Sequence, residues 1–144
     1  MAYILNFKDL NKNSLSAVGG KNASLGELIN AGIRVPPGFA VTTASYLSFI
    51  TETGIKDEIL RVVSELKTGD MESLNATSDK IQQLIINKEL PAQIRATIDD
   101  AYGELCTLCG VEALPVAVRS SATAEDLPTA SFAGQQDTYL WIQG

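Results

Sequence analysis

Apolar residues recur at intervals of three and four through the middle of the chain, between residues 55 and 105. This spacing places them on one face of an α-helix, so the pattern predicts three consecutive helices. A polar break at 67–70 separates the first from the second, and Pro91 fits the first turn of the third. The predicted apolar stripes are, in chain order, Ile55, Ile59, Leu60, Val63 and Leu66; Leu74, Ile81, Leu84 and Ile85; and Ile94, Ile98, Ala101, Tyr102 and Leu105. We interpret these stripes as helix-packing surfaces rather than as a ligand-binding box.

Two more helices are predicted in the first third of the chain. Residues 19–21 (Gly-Gly-Lys) open the first, and Gly32 ends it as the residue that follows the C-cap. Thr42 or Thr43 caps the second, which ends at Gly54. The expected apolar residues of this second helix are Tyr46, Leu47 and Ile50.

Shorter apolar runs near the two ends of the chain are typical of β-strands. We predict an edge strand at 3–5, short buried strands at 39–41 and 115–118, and a final strand at 138–142. Strands at both ends around a helical middle predict a mixed α+β fold. Because no further element follows the last strand, we expect a truncated domain.

The charge balance and the absence of histidine exclude several classes of function. The 144 residues, the length of one ordinary domain, include 11 basic and 17 acidic side chains, for a net charge of −6, and no histidine. A nucleic-acid-binding protein needs a basic surface to neutralise phosphates, so no nucleic acid is expected as a partner. Without histidine the chain has no imidazole acid or base, no phosphohistidine and no histidine metal ligand.

The sequence contains no pattern of export or of membrane insertion. It has neither a signal peptide nor an apolar run of about 18 residues. We therefore expect a cytoplasmic protein with no membrane partner.

Cys106 and Cys109 are the two cysteines of the chain. A tetrahedral zinc site needs two further soft ligands, which the sequence does not provide. The pair also lies at the end of a helical pattern rather than after a strand, unlike a thioredoxin-type redox motif. We expect buried or half-buried cysteines with a structural role.

Residues 19–21 are the first candidate for ligand binding. Two glycines allow backbone amides to approach an anion, a helix N-terminus is electropositive, and Lys21 adds a full charge. The motif is not a Walker A loop, because Asn22 follows the lysine and no glycine lies five residues before Gly20. A simple turn with a solvated lysine is the alternative, and both interpretations stay open at this point.

Arg119 is the second candidate. It follows a predicted strand and enters a serine-rich loop, where a guanidinium group can bind two phosphate oxygens and the hydroxyls supply further donors. An ion pair with Glu125 or Asp126 explains the same arginine equally well. Residues 132–136 are a third candidate, since Gly134 permits close approach of a ligand, although a β-bulge explains that glycine too.

Longer motifs around these candidates together resemble one known family. Residues 18–27 are VGGKNASLGE, residues 35–43 are VPPGFAVTT, and AVRSSATAEDLP at 117–128 is followed by ASFAGQQ at 130–136. In this order, and over nearly the whole chain, the motifs resemble the N-terminal nucleotide-binding domain of the phosphoenolpyruvate synthase and pyruvate phosphate dikinase family. The first motif is most similar to the synthase branch.

The resemblance implies an ATP-grasp-like domain from which ATP phosphorylates a histidine on a separate domain. In the synthase, a barrel domain passes that phosphate to pyruvate in a reaction that uses Mg²⁺. Residues 1–144 would form only the first lobe of the nucleotide-binding domain, with the second lobe, the phosphohistidine domain and the barrel absent. Pyruvate would reach this chain only through the missing domains, and the isolated chain is expected to be inactive.

The resemblance also implies which residues of this chain bind ATP. Lys21 and Arg119 match residues that contact the nucleotide phosphates, and Arg119 is the expected catalytic residue. The stretch that lies over the nucleotide matches Ala133, Gly134, Gln135 and Thr138. The ligands of Mg²⁺ are expected outside this chain, so no metal ligand is assigned here.

Two other functions are compatible with the same residues. Rifampicin phosphotransferases share the first motif and nearly the same arginine motif, and pyruvate phosphate dikinase is a further alternative of this class. A non-catalytic module that binds a nucleotide or a partner is the alternative of a different class.

Overall fold

The computed structural model describes residues 2–67, 69–124 and 137–144. The described elements are β1 (Ile4–Asn6), α1 (Leu15–Asn30), β2 (Phe39–Val41), α2 (Thr43–Glu52), α3 (Lys56–Ser64), α4 (Met71–Ile86), α5 (Ala92–Cys109), β3 (Val116–Arg119) and β4 (Thr138–Ile142), with two short 3₁₀ turns between β1 and α1. Strands therefore lie on both sides of a helical middle, and the predicted mixed α+β class is confirmed.

Strands β1 and β2 form an antiparallel pair that is joined directly to α2. Leu5 is paired with Ala40, and the backbone N–H of Thr42 donates to the carbonyl oxygen of Tyr3 at 3.0 Å. The Thr42 side chain accepts from the backbone N–H of Ser45, which makes Thr42 the N-cap of α2. Of the two predicted capping threonines, the structure therefore selects Thr42.

The helical middle packs around one apolar cluster. Phe49 and Ile50 of α2, Ile55 before α3, and Ile94 of α5 are buried together. Ile98, Ala101, Tyr102 and Leu105 are also buried or half-buried, so the predicted stripe of α5 is confirmed. In α4 the predicted residues Ile81, Leu84 and Ile85 are half-buried, whereas Leu74 is exposed.

The predicted apolar faces of α2 and α3 were wrong in part. Leu47 is 53% exposed and Leu60 is 58% exposed, and Tyr46 and Val63 are exposed as well. Helix α2 instead buries Ser45, because the Ser45 hydroxyl donates to the Tyr3 carbonyl oxygen at 2.8 Å and turns that face toward β1. In α3 the inward positions are Ile59 and Val62, so the neighbouring apolar residues face outward.

Strands β3 and β4 form a second antiparallel pair at the other end of the chain. The pairing joins Val116 to Ile142 and Arg119 to Thr138, with an irregularity between Val116 and Val118. The prediction that 115–118 forms a buried strand was wrong for these residues, because Ala117 and Val118 are exposed, and every residue of β4 is exposed too. Two strands alone bury little of either face.

The two cysteines differ in their surroundings. Cys106 is buried, and its sulfur lies 3.4 Å from the backbone nitrogen of Leu114, whereas Cys109 is exposed. The expectation of a buried or half-buried cysteine therefore holds for Cys106 and was wrong for Cys109, which lies in the last turn of α5 on the side that faces solvent.

Within the described ranges, no helix is both long enough and apolar enough to cross a membrane. The cytoplasmic location stays a prediction.

We expect the replacement of Thr42 by alanine to destabilise the protein by about 1–3 kcal/mol. The change removes the cap of α2 and the 2.7 Å bond that the Thr42 hydroxyl donates to the carbonyl oxygen of Ala2. Urea unfolding followed by circular dichroism measures the effect. The exposed Thr51 of the same helix is the control, and Thr51→Ala should stay within about 0.5 kcal/mol of the wild type. Equal effects of the two changes would contradict the role given to the cap.

Candidate functional site

Helix α1 is broken at Gly19. Its φ of 77° and ψ of 169° lie in a region that residues with a Cβ avoid, so the chain changes direction there before the helix resumes. A short helical turn begins at Leu15, and a second helix begins after the break, so the prediction that residues 19–21 open a helix is confirmed from Gly20 onward. The backbone N–H groups of this first turn, at Gly20 and Lys21, have no regular helical acceptors. The side-chain amide of Asn22 donates across the break to the Val18 carbonyl oxygen at 2.8 Å.

The loop that follows β3 lies directly against this break. The Gly20 N–H donates to the carbonyl oxygen of Ala122 at 3.1 Å. The Nζ atom of Lys21 donates to the carbonyl oxygen of Ser120, also at 3.1 Å and across a sequence separation of 99 residues. A Cβ on Gly19 would overlap the hydroxyl of Ser121. The two candidate phosphate-binding segments of the sequence therefore form one site.

Arg119 and Thr138 lie on one face of the β3–β4 pair. They are cross-strand partners at the end of the ladder, and residues directly opposite each other project to the same side of a sheet. Both are exposed. The two strands stay bonded just past the strand end. There the backbone N–H and the hydroxyl group of Ser120 both donate to the carbonyl oxygen of Asp137, each at 3.2 Å.

Three of the six predicted binding residues are thus gathered at one end of the second sheet. Lys21 reaches the backbone carbonyl next to Arg119, and Thr138 is opposite Arg119 on the neighbouring strand. Ala133, Gly134 and Gln135 lie outside the described residues. The alternative partners of Arg119, Glu125 and Asp126, lie outside them as well.

The described side chains of the candidate site are basic or carry hydroxyl groups. Lys21 and Arg119 bring two positive side chains to one region of a chain whose net charge is −6. The hydroxyl group of Thr138 adds a neutral donor. Across the part of the chain that the structure describes, no group of three carboxylates or thiols is arranged to hold a metal ion. Ammonium and guanidinium groups of this kind can bind the oxygen atoms of phosphates.

Sequence reasoning missed two features of this site. The first is the short helical turn from Leu15 to Val18, since no helix was predicted ahead of the glycines. The second is the participation of Ala122, which acts through its backbone carbonyl and therefore leaves no signal in residue type. The helical pattern of Ala17 and Val18 ahead of the glycines is the signal that could have placed the helix start earlier.

Comparison with known proteins shows the family to which the chain belongs. The family described as "Pyruvate phosphate dikinase, AMP/ATP-binding domain" matches residues 15–144. A probable phosphoenolpyruvate synthase of Methanocaldococcus jannaschii is 51% identical over 144 residues, which is all of this chain and 12% of that protein. The phosphoenolpyruvate synthase of Aeropyrum pernix is 49% identical over 98% of this chain, and that of Helicobacter pylori is 45% identical over 100% of it.

This chain spans only a small part of those relatives, 17% of the Aeropyrum protein and 18% of the Helicobacter protein. The matched part includes all the described elements from α1 to β4, and with them the break at Gly19 and the loop after β3. The resemblance seen in the motifs is confirmed, and the chain belongs to the family of pyruvate phosphate dikinase AMP/ATP-binding domains.

Proposed function

We propose that this chain is the part of a phosphoenolpyruvate synthase that holds the phosphates of ATP. The observation that carries the proposal is the contact between the break in α1 and the loop after β3, which joins Lys21 to the backbone beside Arg119. The names of the similar proteins support the synthase over an antibiotic phosphotransferase. The proposed enzyme converts ATP, pyruvate and water to AMP, phosphoenolpyruvate and phosphate.

Each described residue of the site has a distinct proposed role. Lys21 is a compact charge that attracts the phosphates, and Arg119 is a planar donor that binds two oxygens at once. Arg119 also stabilises the negative charge that develops on the transferring phosphoryl group, which makes it the proposed catalytic residue. Thr138 adds a hydroxyl donor, and Ala133, Gly134 and Gln135 are proposed to lie over the nucleotide.

The chain cannot complete this reaction with its own side chains. It contains no histidine, so the phosphohistidine must be on another domain. Among the described residues, no three potential metal ligands are grouped together. We propose that the metal ligands and the pyruvate site belong to parts of the enzyme outside residues 1–144.

The exposure of β4 supports a domain that continues beyond these residues. Trp141 is 82% exposed. Tyr139 and Leu140, which are consecutive and therefore lie on opposite faces of β4, are also more than half exposed. A strand with apolar side chains on both faces is typical of a sheet that is covered on both sides. We propose that the second lobe of the nucleotide-binding domain covers β4, and that residues 1–144 form the first lobe.

We expect Lys21→Ala and Arg119→Ala each to weaken ATP binding roughly 10- to 150-fold, because each removes charge-assisted hydrogen bonds to phosphate. Isothermal titration with ATP and Mg²⁺ measures the effect in the natural polypeptide that contains this sequence. Arg95, which is exposed on α5 in an ion pair with Asp99, provides the matched control, and Arg95→Ala should bind as the wild type does. Unchanged binding in both site variants would leave Lys21 and Arg119 with structural roles only.

We expect the natural polypeptide to form AMP and phosphoenolpyruvate from ATP and pyruvate, and Arg119→Lys to lower its kcat about 100-fold or more. Lysine keeps the charge but cannot form two parallel bonds to one phosphoryl group. A coupled assay for phosphoenolpyruvate measures the rate, and rifampicin replaces pyruvate in a parallel reaction.

Phosphorylation of rifampicin would identify the antibiotic-modifying alternative. Binding of ATP without turnover of either acceptor would favour the non-catalytic module. Formation of phosphoenolpyruvate by the 144-residue chain alone would contradict the proposed division of the site.

We expect residues 138–142 to be protected from hydroxyl-radical labelling in the natural polypeptide and to be labelled in the 144-residue chain. The reason is that the proposed second lobe would cover β4, whose five residues are all exposed here. Mass spectrometry of the labelled peptides measures the difference, and the natural polypeptide unfolded in urea provides the control for reactivity. Equal labelling of the folded polypeptide and the isolated chain would show that β4 stays uncovered.

A further inference from the structure

Gly19 and Ser121 are packed so closely that the size of each restricts the other. The side chain of Ser121 occupies the space in which a Cβ on residue 19 would lie. The same Cβ would also be 3.0 Å from the backbone nitrogen and carbon of Ala122. Two separate reasons therefore require glycine at position 19, namely the positive φ of 77° and the absence of free space.

The hydroxyl of Ser121 does not hold this contact together. Its oxygen is buried, and it has no hydrogen-bond partner among the groups that the structure describes. A buried hydroxyl without a partner costs free energy, so the contact depends on the small size of the side chain rather than on its polarity. Buried polar atoms without a partner are rare in native proteins, and those that persist are often found at functional sites.

The two hydrogen bonds of the site lie on either side of this contact. Gly20, the next residue after Gly19, donates to Ala122, and Lys21 donates to Ser120. Because Ser120 and Ala122 are the two neighbours of Ser121, a shift of Ser121 away from Gly19 lengthens both bonds. The packing of two small residues thus controls where Lys21 lies relative to the loop that begins at Arg119.

We propose that Gly19 and Ser121 are positioning residues for nucleotide binding. Neither is proposed to touch the phosphates. Their contact fixes the separation between the Lys21 ammonium and the Arg119 guanidinium, so that one triphosphate can reach both groups. This inference rests on the proposed ATP site and adds to it the pair of residues that sets its geometry.

The first test compares two replacements of Ser121 in the natural polypeptide. Ser121→Val enlarges the side chain and should raise the Kd for ATP about tenfold or more, because it pushes the loop away from Gly19. Ser121→Ala removes the unpartnered hydroxyl and adds no bulk that would push the loop away, so it should raise the Kd for ATP less than Ser121→Val does. Both are measured at a temperature well below the unfolding transition of each variant.

The second test uses glycines to separate backbone strain from loss of position. Gly19→Ala introduces both a strained φ and the overlap with Ser121, whereas Gly32→Ala introduces a strained φ alone, since open space surrounds Gly32. Both variants should unfold at a lower temperature, but only Gly19→Ala should weaken ATP binding. The double variant Gly19→Ala/Ser121→Ala should recover part of the affinity, because it removes the hydroxyl that overlaps the new methyl group.

A readout without nucleotide completes the experiment. The Gly20 amide should exchange slowly in the wild type and faster in Ser121→Val, because its bond to Ala122 lengthens. Wild-type ATP affinity in folded Ser121→Val, or no recovery in the double variant, would overturn the positioning role. Failure of the wild type itself to bind ATP would overturn the proposed function instead, and the two failures are therefore distinguishable.

Discussion

The close approach of the loop after β3 to the break in α1 is the contact on which the site depends. Lys21 and the loop at Ser120 are separated by 99 positions in sequence, and no local preference of the backbone brings them together. What allows the approach is the missing side chain at Gly19, together with a conformation that other residues avoid. The helix is interrupted there, and the backbone N–H of Gly20 donates to the carbonyl oxygen of Ala122 in the loop instead of to a helical acceptor.

The direction of α1 is fixed by a second contact of the same kind. A Cβ on Gly26 would overlap the backbone of Leu10, so this turn of the helix lies directly on the chain segment that follows β1. Leu10 is buried with Val18 and Ala40, which ties the helix to the first pair of strands. The break at Gly19 is therefore held between the cluster around Leu10 and the loop after β3.

Local features of the sequence predicted the elements well and their orientation poorly. The end of α1 at Gly32 and the start of α2 at Thr42 follow from backbone hydrogen bonding within a few residues, and both were predicted correctly. The buried face of α2 was wrong because Ser45 bonds to Tyr3, a contact across 42 positions that periodicity cannot reveal. The candidate site was limited in the same way, because local patterns identified its residues only as separate candidates. The family resemblance and the fold were needed to bring those candidates into one site.

The proposed site accounts for two features of the composition, the net negative charge and the absence of histidine. An acidic chain repels polyanions in general, and in the proposed site Lys21 and Arg119 would be a local exception for a compact anion. The absence of histidine fits the same division, because a chain that holds phosphates without a nucleophile of this type cannot accept the phosphoryl group itself. In the proposed enzyme, binding and transfer are separated between different parts, and the geometry at Gly19 would serve the binding step.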